Sequence, residues 1–197
     1  MAIAPAASTP APSGFAYSRD RFRALVDACL KTAKSLGASD AVAEISEGVG
    51  LSVSVRKGET ENIERNRDKS ISVTVYVGQR RGNASTSDFS AAALEQTVRA
   101  AHDIARFTAE DPAAGLPDEA DLAGPAAANR DLDLFHPWAI DAEQAIALAA
   151  RCEAAALAVD RRITNSEGAG VSAQQSHFYA ANTRGFGATD SEWRELA

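Results

Sequence analysis

Ser70-Ile71-Ser72-Val73-Thr74-Val75-Tyr76-Val77 is the stretch that decides the fold. Ile71, Val73, Val75 and Val77 fall on one side of an extended chain, and Ser72, Thr74 and Tyr76 on the other. That period of two is the pattern of a strand with one buried face. Gly78-Gln79 supplies a turn after it, and Arg80 to Ser87 can return as the next strand. Working backwards, Lys57-Gly58 is another turn signal, with Thr60 to Arg65 able to run antiparallel to what precedes it. Leu51, Val53 and Val55 alternate there with Ser52, Ser54 and Arg56. Further upstream, Val42, Glu44 and Ser46 alternate with Ala41, Ala43 and Ile45. Consecutive strands joined by short turns predict an antiparallel meander, one face of which helices must cover. The expected class is α+β, in the order α-β-β-β-β-α-α-β-β.

The helices show a different period. Phe22, Leu25, Val26, Cys29, Leu30, Ala33 and Leu36 recur at steps of three and four, which predicts a helix from Ser18 to Leu36 with Ser18 as N-cap and Gly37 just past its end. A second helix spans Ser90 to Phe107, with Leu94, Val98, Ala101, Ile104 and Ala105 on one face. A third opens at Asp141, with Gln144 as its capping-box partner, and runs to Val159. Ile163 to Glu167 and Val171 to Thr183 read as further strands. Residues 108–130 carry Pro112, Pro117 and Pro125 with Gly115 and Gly124, and read as a connector. Residues 1–17 read as a disordered Ala/Pro/Ser leader without the basic start of a signal peptide. The remaining divisions are an amino-terminal α+β domain over residues 18–107, a helix with strands over 131–186, and a tail at 187–197.

Composition narrows the function. The 197 residues carry 20 Lys plus Arg and 27 Asp plus Glu, a net charge of 20 − 27 = −7. Phosphate binding needs a basic surface, so nucleic acid is not the expected partner. Hydrophobic residues at 45% and charged ones at 24% suit a globular domain rather than a disordered chain. No stretch reaches the apolar length of a membrane span. Cys29 and Cys152 lie far apart on apolar helix faces and read as small hydrophobes. His102, His136 and His177 have no second ligand at helical spacing, and His102-Asp103 point about 100° apart on a helix. Ser85-Thr86-Ser87-Asp88 lacks the Gly-x-Ser-x-Gly frame of a nucleophile elbow, and Asp88 or Ser90 reads as a helix cap. Gly48-Val49-Gly50 leads into a strand rather than a helix and reads as a turn or bulge, not a phosphate cradle. The mixed-charge run Glu61-Asn62-Ile63-Glu64-Arg65-Asn66-Arg67-Asp68-Lys69 reads as a solvated edge between two strands, or as a polar wall that meets peptide backbone. No catalytic, cofactor-binding or metal-ligating residue is expected in the chain, and the Glu61 to Lys69 run is the stretch expected to line a substrate cavity.

Five segments together resemble one family. Gly58-Glu59-Thr60-Glu61-Asn62-Ile63-Glu64, Ser70-Ile71-Ser72-Val73-Thr74-Val75-Tyr76 and Arg80-Arg81-Gly82-Asn83-Ala84-Ser85-Thr86-Ser87-Asp88 come in the order and spacing of the TldD/PmbA proteins, the metalloprotease and "modulator of gyrase" family. Asp131-Leu132-Asp133-Leu134-Phe135-His136-Pro137 and Arg162-Ile163-Thr164-Asn165-Ser166-Glu167-Gly168 resemble its PmbA branch, also called TldE. The resemblance runs from Phe22 to Phe186, and Gly187 to Ala197 departs from it. It implies the amino-terminal portion of one subunit of a cytoplasmic two-subunit protease that processes peptides in a closed chamber. In that family zinc is held by a His-Glu-x-x-x-His motif in the TldD subunit, whose Glu serves as general base. The resemblance therefore implies a noncatalytic subunit, a TldD-like partner carrying the zinc, and a peptide substrate, with neither nucleic acid nor membrane as partner. A fragment of this kind is expected to be poorly soluble alone, through strands that the rest of the protein covers. The alternative expectation is a stand-alone interaction module, or a truncated product with no protease role.

Overall fold

The computed structural model describes residues 14–128, 130 and 132–196. The first thirteen residues of the expected leader lie outside the described residues, as do Asn129, Asp131 and Ala197. Helix α1 (Arg19–Ser35) begins where its cap predicts, with Ser18 Oγ accepting the Arg21 N–H at 3.2 Å. It ends at Leu36, and Gly37 follows at φ 89°, a left-handed conformation that lets Ala38 N–H return to Ala33 O. Then come β1 (Asp40–Arg56), β2 (Glu59–Val77), β3 (Arg80–Thr86) and α2 (Ala91–Phe107). A single 3₁₀ turn (Glu119–Asp121), a short α3 (Pro125–Ala128), α4 (Ala142–Leu157), β4 (Ala169–Asn182) and β5 (Gly187–Leu196) complete the order.

The five strands form one sheet in the order β3-β2-β1-β4-β5. β1, β2 and β3 are the expected meander, and β4 adds to the free edge of β1. Ala41 meets Thr183 through a 2.9 Å backbone bond, and Ser52 Oγ lies 3.2 Å from Ser172 Oγ. Those contacts descend along β1 as they ascend along β4, so the two strands are antiparallel. Their spacing is the same on both strands (52 − 41 = 183 − 172 = 11), so the two contacts share one register.

Several expectations need correction. Gly48-Val49-Gly50 is neither turn nor bulge but lies inside β1, which runs through it unbroken. A side chain at Gly50 would meet the Gln174 and Asn66 amides, so glycine here makes room for neighbouring side chains rather than turning the chain. The Glu61 to Lys69 run does not separate two strands. It is the middle of the 19-residue β2, so the meander has three strands, the lower of the three or four expected. Polar residues on both faces are compatible with a strand exposed on both faces, which a period-two reading cannot see.

Ile163 to Glu167 is not a strand. Its backbone is held by turns and side chains instead: Ile163 N–H bonds Asp160 O, Ser166 Oγ accepts the Gly168 N–H, and Ser166 O accepts the Arg56 guanidinium. On β2, Thr74 and Tyr76 are buried rather than outward-facing. Tyr76 shares a cavity with Thr108, Asp111 and Ala113, so the start of the expected connector covers that face. Ile104 is 48% exposed, and Thr97 takes its place on the buried stripe of α2. Cys152 is exposed because the buried stripe of α4 is Ala145, Ala149 and Glu153, one position away. Cys29 is buried as expected, and desolvation pushes its thiol up to about 11.

The chain divides into two compact units, each with its own apolar core. The first comprises residues up to Glu47, Asp68–Leu132 and His177–Asp190. Phe22, Val26, Ile45, Ile71, Val73, Val75 and Val98 are fully buried in it, between the sheet and helices α1 and α2. Each such side chain contributes about 1.5–3 kcal/mol on burial. The second comprises Gly48–Arg67, Asp133–Ser176 and the residues from Ser191 onward. Its core is Leu51, Val53, Val55 and Val171 against Ala145 and Ala149 of α4, flanked by Trp138 and Ile140.

Candidate functional site

In the second unit, Lys57 and Gly58 take φ of 52° and 76° at the β1–β2 turn, the left-handed pair that a tight two-residue hairpin requires. Their two N–H groups point at Glu153 of α4, at 2.8 and 2.9 Å. Those bonds, Gly58 first and Lys57 second, hold the buried Glu153 carboxyl below the usual carboxylate range. The hairpin is thus clamped to its helix by an ionised side chain. Asp141 caps the start of that helix in the expected capping box with Gln144.

Beside this hairpin the second unit has a groove of about 390 Å³. Val49, Leu51, Ala173, Trp138 and Ile140 give it apolar surface, and Arg65, Asn66, Arg67 and Gln175 its polar lining. That volume lies in the range of small-ligand and side-chain pockets. Guanidinium and amide groups beside an indole offer hydrogen bonds to backbone and carboxylate together with an apolar surface. The arrangement is suited to binding rather than to nucleophilic chemistry, since none of the named lining side chains is a nucleophile.

The charged run expected to line a cavity is divided by the structure. Arg65, Asn66 and Arg67 line the groove, whereas Lys69 belongs to the first unit, where its Nζ donates to Tyr17 Oη at 2.9 Å and lies over the Tyr17 and Phe89 rings. Ser85 to Asp88 is a strand end and a cap. Ser90 N–H bonds Asp88, and Ser90 Oγ in turn caps α2. The three histidines occupy separate settings. His136 bonds the Asp133 carbonyl at 2.6 Å, and His102 Nδ1 lies 3.8 Å from its neighbour Asp103. His177 is fully buried between the rings of Phe15 and Phe22, at centroid distances of 4.3 and 4.5 Å. Its Nε2 is 3.5 Å from Glu47, whose carboxylate accepts the Ala16 and Tyr17 N–H groups. Among the described residues no three His, Cys, Asp or Glu side chains converge as a metal site. Zinc therefore has no fitting donor set in the part of the chain described.

Sequence reasoning missed Trp138, Ile140, Gln175, Glu47 and Glu153. A signal existed for two of them. Trp138 is one of only two tryptophans in a chain with 6% aromatic residues. Glu153 falls at the third step of the stripe Ala145, Ala149, Glu153, a lone acid on an apolar helix face.

Comparison with known proteins adds identity to this geometry. Residues 41–105 match the model of PmbA/TldA metallopeptidase domain 1, and residues 135–192 that of the PmbA/TldA metallopeptidase central domain. The second match continues past Phe186 into β5. The Escherichia coli O157:H7 protein Metalloprotease PmbA is 48% identical over 149 residues, which is 74% of this chain and 32% of that protein. A Metalloprotease PmbA homolog from Haemophilus influenzae is 40% identical over 163 residues, 83% of this chain and 35% of that protein. The chain thus spans about a third of the length of these curated relatives. Among solved structures, a Bacteroides thetaiotaomicron protein proposed as a modulator of DNA gyrase aligns with a TM-score of 0.69 at 18% identity, over 90% of this chain and 40% of that one. TldE from Thermococcus kodakarensis aligns with a TM-score of 0.67 at 11% identity, over 86% and 37%. At such identity these two speak for the fold alone. With both domain models matched in order along the chain, the protein belongs to the PmbA/TldD metallopeptidase family, of which it carries the amino-terminal region.

Proposed function

We propose that this chain is the amino-terminal portion of a PmbA/TldE-type subunit that, paired with a TldD-like subunit in the cytoplasm, helps shape the peptide chamber of a zinc metalloprotease without itself performing the chemistry. The observation that carries the reading is the ordered match to both family domains, residues 41–105 and 135–192. In this reading the zinc resides in the partner and supplies a polarised water for peptide hydrolysis there. This chain supplies walls and hydrogen-bonding groups. The groove lined by Arg65, Arg67 and Trp138 is one such wall, able to meet a peptide's carbonyls and carboxylates on one side and an apolar side chain on the other.

Co-purification of the tagged chain with a TldD-like subunit tests this, followed by zinc content and peptide cleavage on the eluate. A stoichiometric, zinc-containing, active complex is the expected result. An eluate without partner and without zinc would favour a stand-alone interaction module instead.

A further inference from the structure

β2 is longer than the strand beside it. In the sheet order its neighbours are β1 and β3, and β3 pairs only with Ile71 to Val77. The seven residues Glu59 to Arg65 therefore have β1 on one side and, among the described residues, no strand on the other. Every one of them is exposed. The far end of this stretch is held by the Glu153 clamp on the hairpin turn, so the edge is presented on a fixed support.

A bare edge is a template for another strand, because alternate N–H and C=O groups face outward. Soluble proteins commonly guard such edges with charged side chains, lysine above all, with proline or with a bulge. Glu59 to Arg65 contains neither lysine nor proline. Glu59 and Glu61 share one face of the strand with Ile63 and Arg65, and Glu64 lies on the other; the three carboxylates have no ion-pair partner among the described residues. Ile63, 48% exposed, lies between Glu61 and Arg65 on its face. Three carboxylates on a chain of net charge −7 oppose pairing with a second copy of the same edge and attract a strand of opposite sign.

We propose that Glu59–Arg65 receives an extended peptide segment with Lys or Arg at alternate positions, added as a strand to the edge of β2. The proposal rests on the peptide-handling reading above and names the class of segment it selects. Backbone bonds to the edge hold the segment regardless of sequence; the glutamates choose its charge.

The test uses the chain alone with three short fluorescein-labelled peptides: one alternating Lys and Val, one alternating Glu and Val, and the Lys/Val peptide with a central proline. Anisotropy is expected to show the Lys/Val peptide binding roughly tenfold or more tighter than either of the others. Amide exchange is expected to slow across residues 59–65 on its addition. The double substitution Glu59→Lys with Glu61→Lys, at exposed positions on one face and with an unchanged melting temperature, is expected to reverse the charge preference. Equal binding of the two charge types, undiminished binding of the proline peptide, no binding, or protection of 59–65 that rises with chain concentration alone would each overturn the proposal. The subunit reading fails separately: edge binding that persists when no TldD-like subunit co-purifies sinks only that reading, and an active complex that cleaves both charge types alike sinks only this one.

Discussion

Glu153 and His177 are the two buried ionisable side chains whose settings translate into pH dependence, and both make stability rise with pH. The Glu153 carboxyl is held low by the Gly58 and Lys57 N–H groups, so its contribution is complete above the unfolded glutamate value of about 4.3 and is lost as pH falls through the depressed folded value. Glu153→Gln is expected to lower the melting temperature at pH 7 and to flatten its acid dependence below pH of about 4, as read by circular dichroism. His177 is buried between two phenyl rings, and desolvation lowers its pKa against the opposing pull of Glu47, with Arg19 adding to the lowering. Its contribution is complete above the unfolded histidine value of about 6.5 and declines as pH drops below it. His177→Phe keeps a ring in the stack. It is expected to remove the pH dependence of the melting temperature between about 7 and 5, and a variant with the wild-type slope would refute the assignment. Neither setting was legible in the sequence, because each is made by residues far apart in the chain: Glu47 and His177, or Glu153 and the 57–58 turn.

At the scale of elements, two glycines predict opposite outcomes. A Cβ at Gly82 of β3 would strike the backbone of Ala101 and Ala105, where α2 packs closely over the strand. Backbone cannot step aside cheaply, so Gly82→Ala is expected to cost about 1–3 kcal/mol in urea denaturation. The atoms nearest a Cβ at Gly50 are the ends of the Gln174 and Asn66 side chains, which can rotate away, and Gly50→Ala is expected to stay within about 0.5 kcal/mol. Ser90→Ala, which removes the α2 cap, is expected to cost about 0.5–2 kcal/mol.

Caps and apolar alternation are written in local residue order, and for that reason α1, α2, α4 and the existence of the 71–77 strand, though not the burial of its second face, could be read directly from the sequence. The period-two rule failed where its premise failed. Residues 59–69 have no buried face to alternate against, Gly48 to Gly50 are spaced for cross-strand neighbours, and residues 163–167 have a strand-like composition but bond to side chains instead of a ladder. The groove escaped for the same reason: Leu51, Arg65, Trp138 and Gln175 come from four separate segments.

The whole molecule brings together a family name that points to DNA and a charge that points away from it. One structural neighbour is described as a DNA gyrase modulator, yet this chain carries a net charge of −7. Of its paired arginines, Arg80 is bound to Thr108 O and Glu110, and Arg162 to Asp160. Counterion release needs several cations aligned on one face, so the chain is expected not to shift a DNA duplex at physiological salt; a shift that weakens steeply with added salt would overturn this. Association with a TldD-like subunit has a different signature. A partner that binds only the folded chain stabilises it by mass action, by about 2.7 kcal/mol at a hundredfold excess over Kd. Titrating the subunit is therefore expected to raise the melting temperature progressively, with the largest gain in amide protection along sheet edges such as Glu59 to Arg65 that, among the described residues, no other strand covers. A flat melting temperature across that titration would mean that this amino-terminal region does not by itself form the subunit contact, and would assign that contact to the remaining two thirds of the length seen in its curated relatives.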